Sequence, residues 1–393
     1  MARSKSKTRK SAKPARLGAI VLAAGASSRM GRFKPLLPLG GVGALERSIS
    51  VFRDAGIENV VVVLGCRAND LRPVVEGCGA QCIENPQWRH GMYSSVVVGA
   101  RALAEQVAGA FVLPADTPLV RSCTVLQLAD VFKGTRKEIV YPMFAGRRGH
   151  PPLIGSAILR QIAAEASGPL SAVLGAREGD SLDVPVADEA IHLDMDCPRD
   201  FEALQAMASQ RDIPSDGECA VLLAEHSVPD VVIRHSRAVA DTAVRIADAL
   251  IVGGINLDRE LVRAGGLLHD IAKGQPHHAE AGASFLRRKG MERVAEVVEA
   301  HTEIHFQGIV DEGAIVYLAD KLVAGESLVT LDERFRKSLE RFAVRPDALA
   351  AVQRRKADAE RIALDIENTL NMPLAVIVRD RSRLVSTLVE IAP

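Results

Sequence analysis

"IVLAAGASSRMGRFKPLLPLGG", residues 20–41, decides the fold of the first half of the chain. Ala19-Ile20-Val21-Leu22 is a short apolar run of the kind that forms a buried parallel strand. Gly25 permits a tight turn after it, Ser27 and Ser28 offer hydroxyls and backbone N–H groups, and Arg29 and Lys34 bring positive charge. Open α/β sheets bind ligands at loops that leave the carboxyl ends of their strands, and clustered backbone N–H groups there suit an anion. The segment therefore predicts a triphosphate cradle. Neither G-x-x-x-x-G-K-[ST] nor G-x-G-x-x-G follows the strand, so it is neither of the commoner phosphate loops. The residue types alone leave open a second reading, an ordinary strand-to-helix loop with two solvated cations.

Working outward, the chain divides by grammar. Up to about residue 209, apolar β-branched runs (NVVVVLG, 59–65; AFVLPAD, 110–116; EIVYPMF, 138–144) alternate with helical patterns such as ALERSISVFRDAG and SSVVVGARALAEQ. Strands alternating with helices predict an α/β domain with a mostly parallel sheet, covered on both faces. From 218 onward apolar positions recur every three or four residues, which predicts helix after helix. The polar stretch 210–217, with Pro214, reads as the linker. The expected organisation is a basic disordered tail (1–16), an α/β domain (17–209), the linker, an all-α domain (218–340) and a helical extension (341–393).

Bulk properties narrow the function. The 49 basic and 49 acidic residues balance, so net charge gives no support for a nucleic-acid partner. The tail "MARSKSKTRKSAKPAR" is the exception, and no apolar core of signal-peptide length follows it. No apolar run is long enough to span a membrane. Six cysteines without a C-x-x-C fit free thiols in the cytoplasm.

A triphosphate needs a divalent ion, and Mg²⁺ takes oxygen ligands, including one or two carboxylates. Asp116, just past an apolar strand, is the first candidate. In "IHLDMDCPRDFEAL" (191–204), Asp194 and Asp196 alternate along an expected strand end, one facing the site and one not, and Asp200 reads as a first-turn helix acid.

Five segments together resemble the MobA/MocA-like nucleotidyltransferases, the cytidylyl- and guanylyltransferases of the molybdenum cofactor. They are LAAGASSRMGRFKPLLPLGG (22–41), ENPQWRHGMYSSVVVGARAL (84–103), LPADTPLV (113–120), AGRRGHPPLIG (145–155) and LDMDCPRDFEAL (193–204). The resemblance implies a Rossmann-like sheet. It also implies nucleotide binding by Leu22, Ala23, Ala24, Gly25, Ser28, Arg29 and Lys34, with Arg29, Lys34 and Asp116 catalytic and Asp116 and Asp196 holding Mg²⁺. Ser94, Ser95, Arg148 and His150 would bind the acceptor. Ala24, in Leu-Ala-Ala-Gly, resembles the cytidylyl branch. The implied partners are CTP, a molybdopterin-type cofactor and a molybdoenzyme that receives the product. Cys197, where the family more often has Thr, is a departure expected to have little effect.

In the second half, seven of the ten histidines gather. His269 and Asp270 enter an apolar face in "LLHDIAK", and Asp320 is enclosed by "AIVYLA" and "LVA". Charges so placed pair or bind metal, and imidazole with carboxylate suits Zn²⁺, Mn²⁺ or Fe. RHSRAVADTAVRIA (234–247), GGLLHDIAKG (265–274) and YLADKLV (317–323) resemble the three core motifs of the HD phosphohydrolases. By that resemblance His235, His269, Asp270 and Asp320 are metal ligands, His278 and His301 serve a second ion, and Lys273 is a phosphate contact.

Overall fold

The computed structural model describes residues 16–28, 30–164 and 168–379. All of the basic tail but Arg16, and the expected triphosphate contact Arg29, lie outside them. The chain forms two compact units, Met1–Ser209 and Gln210–Pro393.

The first unit is built on one sheet. Along its main path the strands in chain order are β1 (Leu17–Ala23), β2 (Asn59–Leu64), β3 (Gln81–Glu84), β4 (Gly109–Pro114), β5 (Ile139–Phe144), β6 (Leu153–Gly155) and β7 (Ser181–Pro185), in the spatial order β7-β5-β6-β4-β1-β2-β3, and a two-residue eighth strand, Arg147–Arg148, pairs antiparallel with β5. β1 runs parallel to both β2 and β4, and β5 parallel to β7, while β6 is antiparallel to its two neighbours. Alternation along the strands separates two cores. Ala19, Val21, Val62 and Phe111 pack with Leu45, Ile49 and Phe52 of helix α1 (Ala44–Asp54). Ile20, Leu22, Val61 and Val112 pack with Val96, Val97 and Leu103 of helix α2 (Met92–Leu103). Each large side chain so enclosed contributes about 1.5–3 kcal/mol. This three-layer arrangement fits the α/β expectation.

The chain order then places the site. From β1 the chain moves outward to β2 and β3, then crosses back to β4 on the other side of β1. The carboxyl ends of β1 and β4 therefore lie side by side at a topological switch point, where such sheets bind ligands. Leu22 pairs in register with Pro114, and the Ala115 N–H donates to the Leu22 carbonyl at 3.0 Å.

The second unit is helical. Helix α3 (Asp230–Val252), α4 (Arg259–Leu268), α5 (His278–Arg288), α6 (Glu292–Ala300) and α7 (Glu312–Lys321) carry the histidine and aspartate motifs. A short hairpin (Val323–Ala324, Ser327–Leu328), α8 (Leu331–Phe342) and α9 (Pro346–Leu370) follow. The apolar faces meet tightly: a Cβ added at Gly266 of α4 would stand 2.6 Å from the Ala240 Cα of α3. No described helix is long and apolar enough to cross a membrane.

Candidate functional site

In the first unit the loop after β1 forms one wall of a cavity of about 630 Å³, lined by Leu22, Ala23, Ala24, Gly25, Ser27, Ser28 and Lys34 and, across from them, Trp88, Arg89, Ser95 and Asp116. The turn in this loop differs in detail from expectation. Ser27, at φ 56°, is left-handed, as is Gly31 at φ 67°, and the Ser27 hydroxyl accepts the Lys34 N–H at 3.1 Å. Gly25 is not left-handed, and a Cβ there would meet nothing within 4 Å. Gly25 thus keeps the cavity wall low instead of making the turn.

A second cavity of about 880 Å³ adjoins the first. His150, Arg147, Arg148, Tyr141, Asp194 and Asp196 line it, and Gly91, Met92, Pro114 and Asp116 belong to both cavities. Asp116 therefore stands where the two spaces meet. The Lys34 ammonium, nearly buried, donates to Asp196 Oδ1 at 2.8 Å and lies 3.4 Å from Asp116 Oδ2. The two carboxylates expected to hold Mg²⁺ thus converge on one cation. Hard carboxylate oxygens grouped in this way suit Mg²⁺.

Asp194 and Asp196 lie in extended chain outside any strand, after a 3-10 turn, Glu189–His192. Both line the second cavity while Met195 between them is fully buried, so the two carboxylates share a side, as a period of two requires, where only one was expected to face the site. Burial, together with Asp196 and Asp116, pushes the Asp194 pKa up. Asp200, in the first turn of the helix Pro198–Ser209, accepts the Asp196 and Cys197 N–H groups at 3.0 and 2.7 Å and so shapes this segment.

The residues expected on the acceptor side separate. His150 lines the second cavity, with its Nδ1 buried and unpartnered and its pKa lowered by burial. Arg148 also lines it, but its guanidinium is held by Glu178 and Asp183 and stacks on Tyr141 at 4.3 Å. Ser95 lines the first cavity and Ser94 neither. Both hydroxyls accept from the buried Asn85 side chain, at 2.9 and 2.8 Å, while the Ser94 hydroxyl donates to the Gly91 carbonyl at 2.8 Å. Asn85 was not singled out from sequence, although Asn-Pro stands in the quoted motif. Its role shows only once the strand end and helix that it bridges are side by side.

In the second unit all six expected ligands come together, as two triads: His235, His269 and Asp320, and Asp270, His278 and His301. Each comes from a helix end. His235 lies in the second turn of α3, His269 and Asp270 directly follow α4, His278 opens α5, His301 follows α6 and Asp320 lies in the last turn of α7. His269, Asp270, His301 and Asp320 are buried.

Three ring orientations are set from behind. Nδ1 of His235, His269 and His301 sits 2.8, 2.8 and 2.5 Å from the carbonyl oxygens of Gly325, Gly266 and Val298. A carbonyl there requires the proton on Nδ1, leaving the Nε2 lone pair forward, the usual arrangement behind a metal-bound imidazole. Those lone pairs then face carboxylate oxygens: His235 and His269 Nε2 lie 3.1 and 3.7 Å from Asp320 Oδ1, and His301 Nε2 lies 3.4 Å from Asp270 Oδ1. Lone pair against lone pair calls for a cation between them. Ligands about 2.1 Å from one ion stand roughly 3.0–3.4 Å apart, close to the spacings found. His269 Nε2 and Asp270 Oδ1 are buried without a hydrogen-bond partner. Burial would push Asp320 up, but the Lys321 ammonium beside it holds its carboxyl well below the ordinary range. The site fits divalent metal.

Lys273, the expected phosphate contact, lies half-exposed with Nζ 2.8 Å from Asp270 Oδ2. Lys321, within the quoted motif but not singled out, is buried and donates to Asp320 Oδ2 and to the His301 carbonyl, each at 2.8 Å.

Comparison with known proteins agrees with this geometry. Residues 19–177 match the MobA-like NTP transferase domain and residues 232–325 match the HD domain. The chain belongs to the MobA-like NTP transferases and carries an HD domain behind its transferase domain. More particularly, it is 28% identical to the molybdenum cofactor cytidylyltransferase of Escherichia coli, over 46% of this chain and 92% of that enzyme. It is 30% identical to the nicotine blue oxidoreductase of Paenarthrobacter nicotinovorans, over 38% of this chain and 76% of that protein. It is also 39% identical to the tRNA (cytidine(56)-2'-O)-methyltransferase of Picrophilus torridus, over 23% of this chain, and spans about a quarter (26%) of that protein's length.

Proposed function

We propose that the first unit transfers CMP from CTP to a molybdopterin-type phosphate acceptor. The observation that carries this reading is the position of Asp116, in the shared wall of two adjoining cavities and facing Asp196 across the Lys34 ammonium. One cavity takes the nucleotide and the other the acceptor. A phosphate monoester oxygen of the acceptor attacks the α-phosphorus of CTP, the bond to the β-phosphate oxygen breaks, and pyrophosphate leaves. The attacking oxygen is already anionic, so no general base is required. Mg²⁺, held by Asp116 and Asp196, supplies charge neutralisation. As the nucleotide enters, Lys34 turns from the carboxylates to the phosphates, and the Ser27–Ser28 loop cradles them. Similarity to the cytidylyltransferase supports the acceptor class, and Ala24 supports CTP. The test is to incubate the protein with each NTP and molybdopterin and to follow pyrophosphate. CTP should outrun GTP, and equal turnover with GTP would overturn the base preference. Pyrophosphate release only with a sugar or alcohol phosphate would replace the acceptor.

The HD half is a metal-dependent phosphohydrolase in this reading. His235, His269 and Asp320 hold one ion, and Asp270, His278 and His301 a second. Mn²⁺, Fe²⁺ or Zn²⁺ there supplies Lewis acidity for hydrolysis of a phosphate ester. The three carbonyl-anchored imidazoles keep the ligands in the metal-ready tautomer. Metal analysis of the purified protein checks it: a chain that takes up no Mn²⁺, Fe²⁺ or Zn²⁺ and hydrolyses nothing in a nucleotide panel makes this half a ligand-binding module.

A further inference from the structure

We propose that Arg334 is a phosphate-binding residue of the HD half and that, together with Lys273, it selects a substrate with a terminal, doubly charged phosphate group; this rests on the hydrolase reading above. Arg334 lies outside residues 232–325, which match the HD domain. It sits in the first turn of α8, whose start is fixed by a capping box between Thr330 and Glu333. Its guanidinium Nη2 lies 3.7 Å from Asp320 Oδ1. That is ion-pair distance and too long for a hydrogen bond, so its donors are not used there.

The charge count at the two triads makes Arg334 surplus. Asp270 already has Lys273 at 2.8 Å, and Asp320 already has the buried Lys321 at 2.8 Å. A further cation held against a site that also takes divalent metal favours an anion of more than one charge. Lys321 cannot reach a substrate, being 8% exposed, whereas Arg334 is 37% and Lys273 49% exposed. The planar guanidinium beside Asp320 offers paired donors to two phosphate oxygens, and the Lys273 ammonium beside Asp270 acts as a point charge. A terminal phosphate has the oxygens to meet both and the ions as well. An internal diester has fewer free oxygens and one charge.

The placement of Arg334 also gives the C-terminal helices a purpose. α8 is tied to α9 by Asp332 and Lys356, 2.7 Å apart. α9 is tied to α7, the helix of Asp320, by the Tyr317 hydroxyl donating to the Arg355 carbonyl at 2.9 Å, and it buries Ala359 and Ile362. The extension thus holds Arg334 over the triad.

The test uses the full chain loaded with Mn²⁺ and titrated with inorganic phosphate, with metal content measured in parallel. Arg334→Ala should keep the wild-type Mn²⁺ content and bind phosphate about tenfold more weakly, the scale of a charge-assisted hydrogen bond, with Arg334→Lys in between. Wild-type protein should hydrolyse a phosphomonoester such as p-nitrophenyl phosphate faster than its bis(p-nitrophenyl) diester. Unchanged phosphate affinity in a fully loaded Arg334→Ala protein overturns the proposal. So does loss of Mn²⁺ in that variant, which would make Arg334 a support for Asp320, or preference for the diester. If the wild type takes up no metal, the hydrolase reading falls and this inference with it.

Discussion

Asp116 lies against Lys34 beside Asp196, and Asp270 against His278 and His301, so each gives a sharp prediction. Asp116→Asn keeps the shape of the carboxylate and removes its charge at the junction of the two cavities. Pyrophosphate release with CTP should fall by at least about a hundredfold, the scale of one lost electrostatic stabiliser. The melting temperature should hardly move, because the Asp116 side chain is 30% exposed and its ion pair with Lys34 is long. Activity within a fewfold of wild type would make Asp116 a turn residue. Asp270→Ala removes the carboxylate that His278 and His301 face at 3.2 and 3.4 Å. Metal content, measured by elemental analysis, should drop by about one ion per chain, since the triad loses its anionic ligand. Cytidylyl transfer should be untouched. At this scale much was legible from sequence. His269, Asp270 and Asp320 stood out because charge in an apolar helix is costly unless it is used, and the resemblance to the HD motifs added His235, His278 and His301. Asn85 did not, because a buried amide gives no such signal until its partners are known.

At the scale of elements, the crossing of α3 and α4 both packs the helical unit and aims its chemistry. Gly266 lets the two helices approach until a Cβ would meet Ala240 backbone atoms at 2.6 and 3.0 Å, and its carbonyl accepts from His269 Nδ1. Gly266→Ala should therefore destabilise the unit by about 1–3 kcal/mol, the cost of overpacking. It should also weaken metal binding by about tenfold, the lower end for a lost partner behind a ligand. Denaturant melts and a metal titration of the variant check both. A melt like that of wild type would show that the helices can separate freely. The switch point of the sheet works the same way in the first unit. β1 and β4 are neighbours through the jump in strand order, and that jump delivers Asp116 to the loop of Lys34. Strand existence was readable from NVVVVLG and AFVLPAD. The antiparallel β6 was not, because three residues carry no periodicity.

For the whole molecule, two compact units with separate cores predict separate responses to ligands. Stripping metal with a chelator should lower the transition of the helical unit by the linkage term, about 2.7 kcal/mol if the metal stood at a hundred times its dissociation constant. The α/β unit should melt as before. CTP with Mg²⁺ should do the converse. Calorimetry with each addition distinguishes the two transitions, and a single transition that moves with both ligands would mean that the units unfold as one.

Sequence by itself determined the kinds of unit and most of the chemical groups, because period, apolar runs and misplaced charge are local properties of the chain. It marked the loop after β1 and the carboxylates Asp116 and Asp196, and through the HD resemblance all six groups of the two triads. What only tertiary structure decided is which groups face each other. Arg148 pairs with Glu178 and Asp183, Ser94 and Ser95 turn to Asn85, Asp194 stands beside Asp196, and Arg334 reaches Asp320 from a helix beyond the HD motifs. Apart from Asp194 and Asp196, those pairings join residues from different elements, and they are set by strand order and helix crossing, which depend on how whole layers bury their apolar faces against one another.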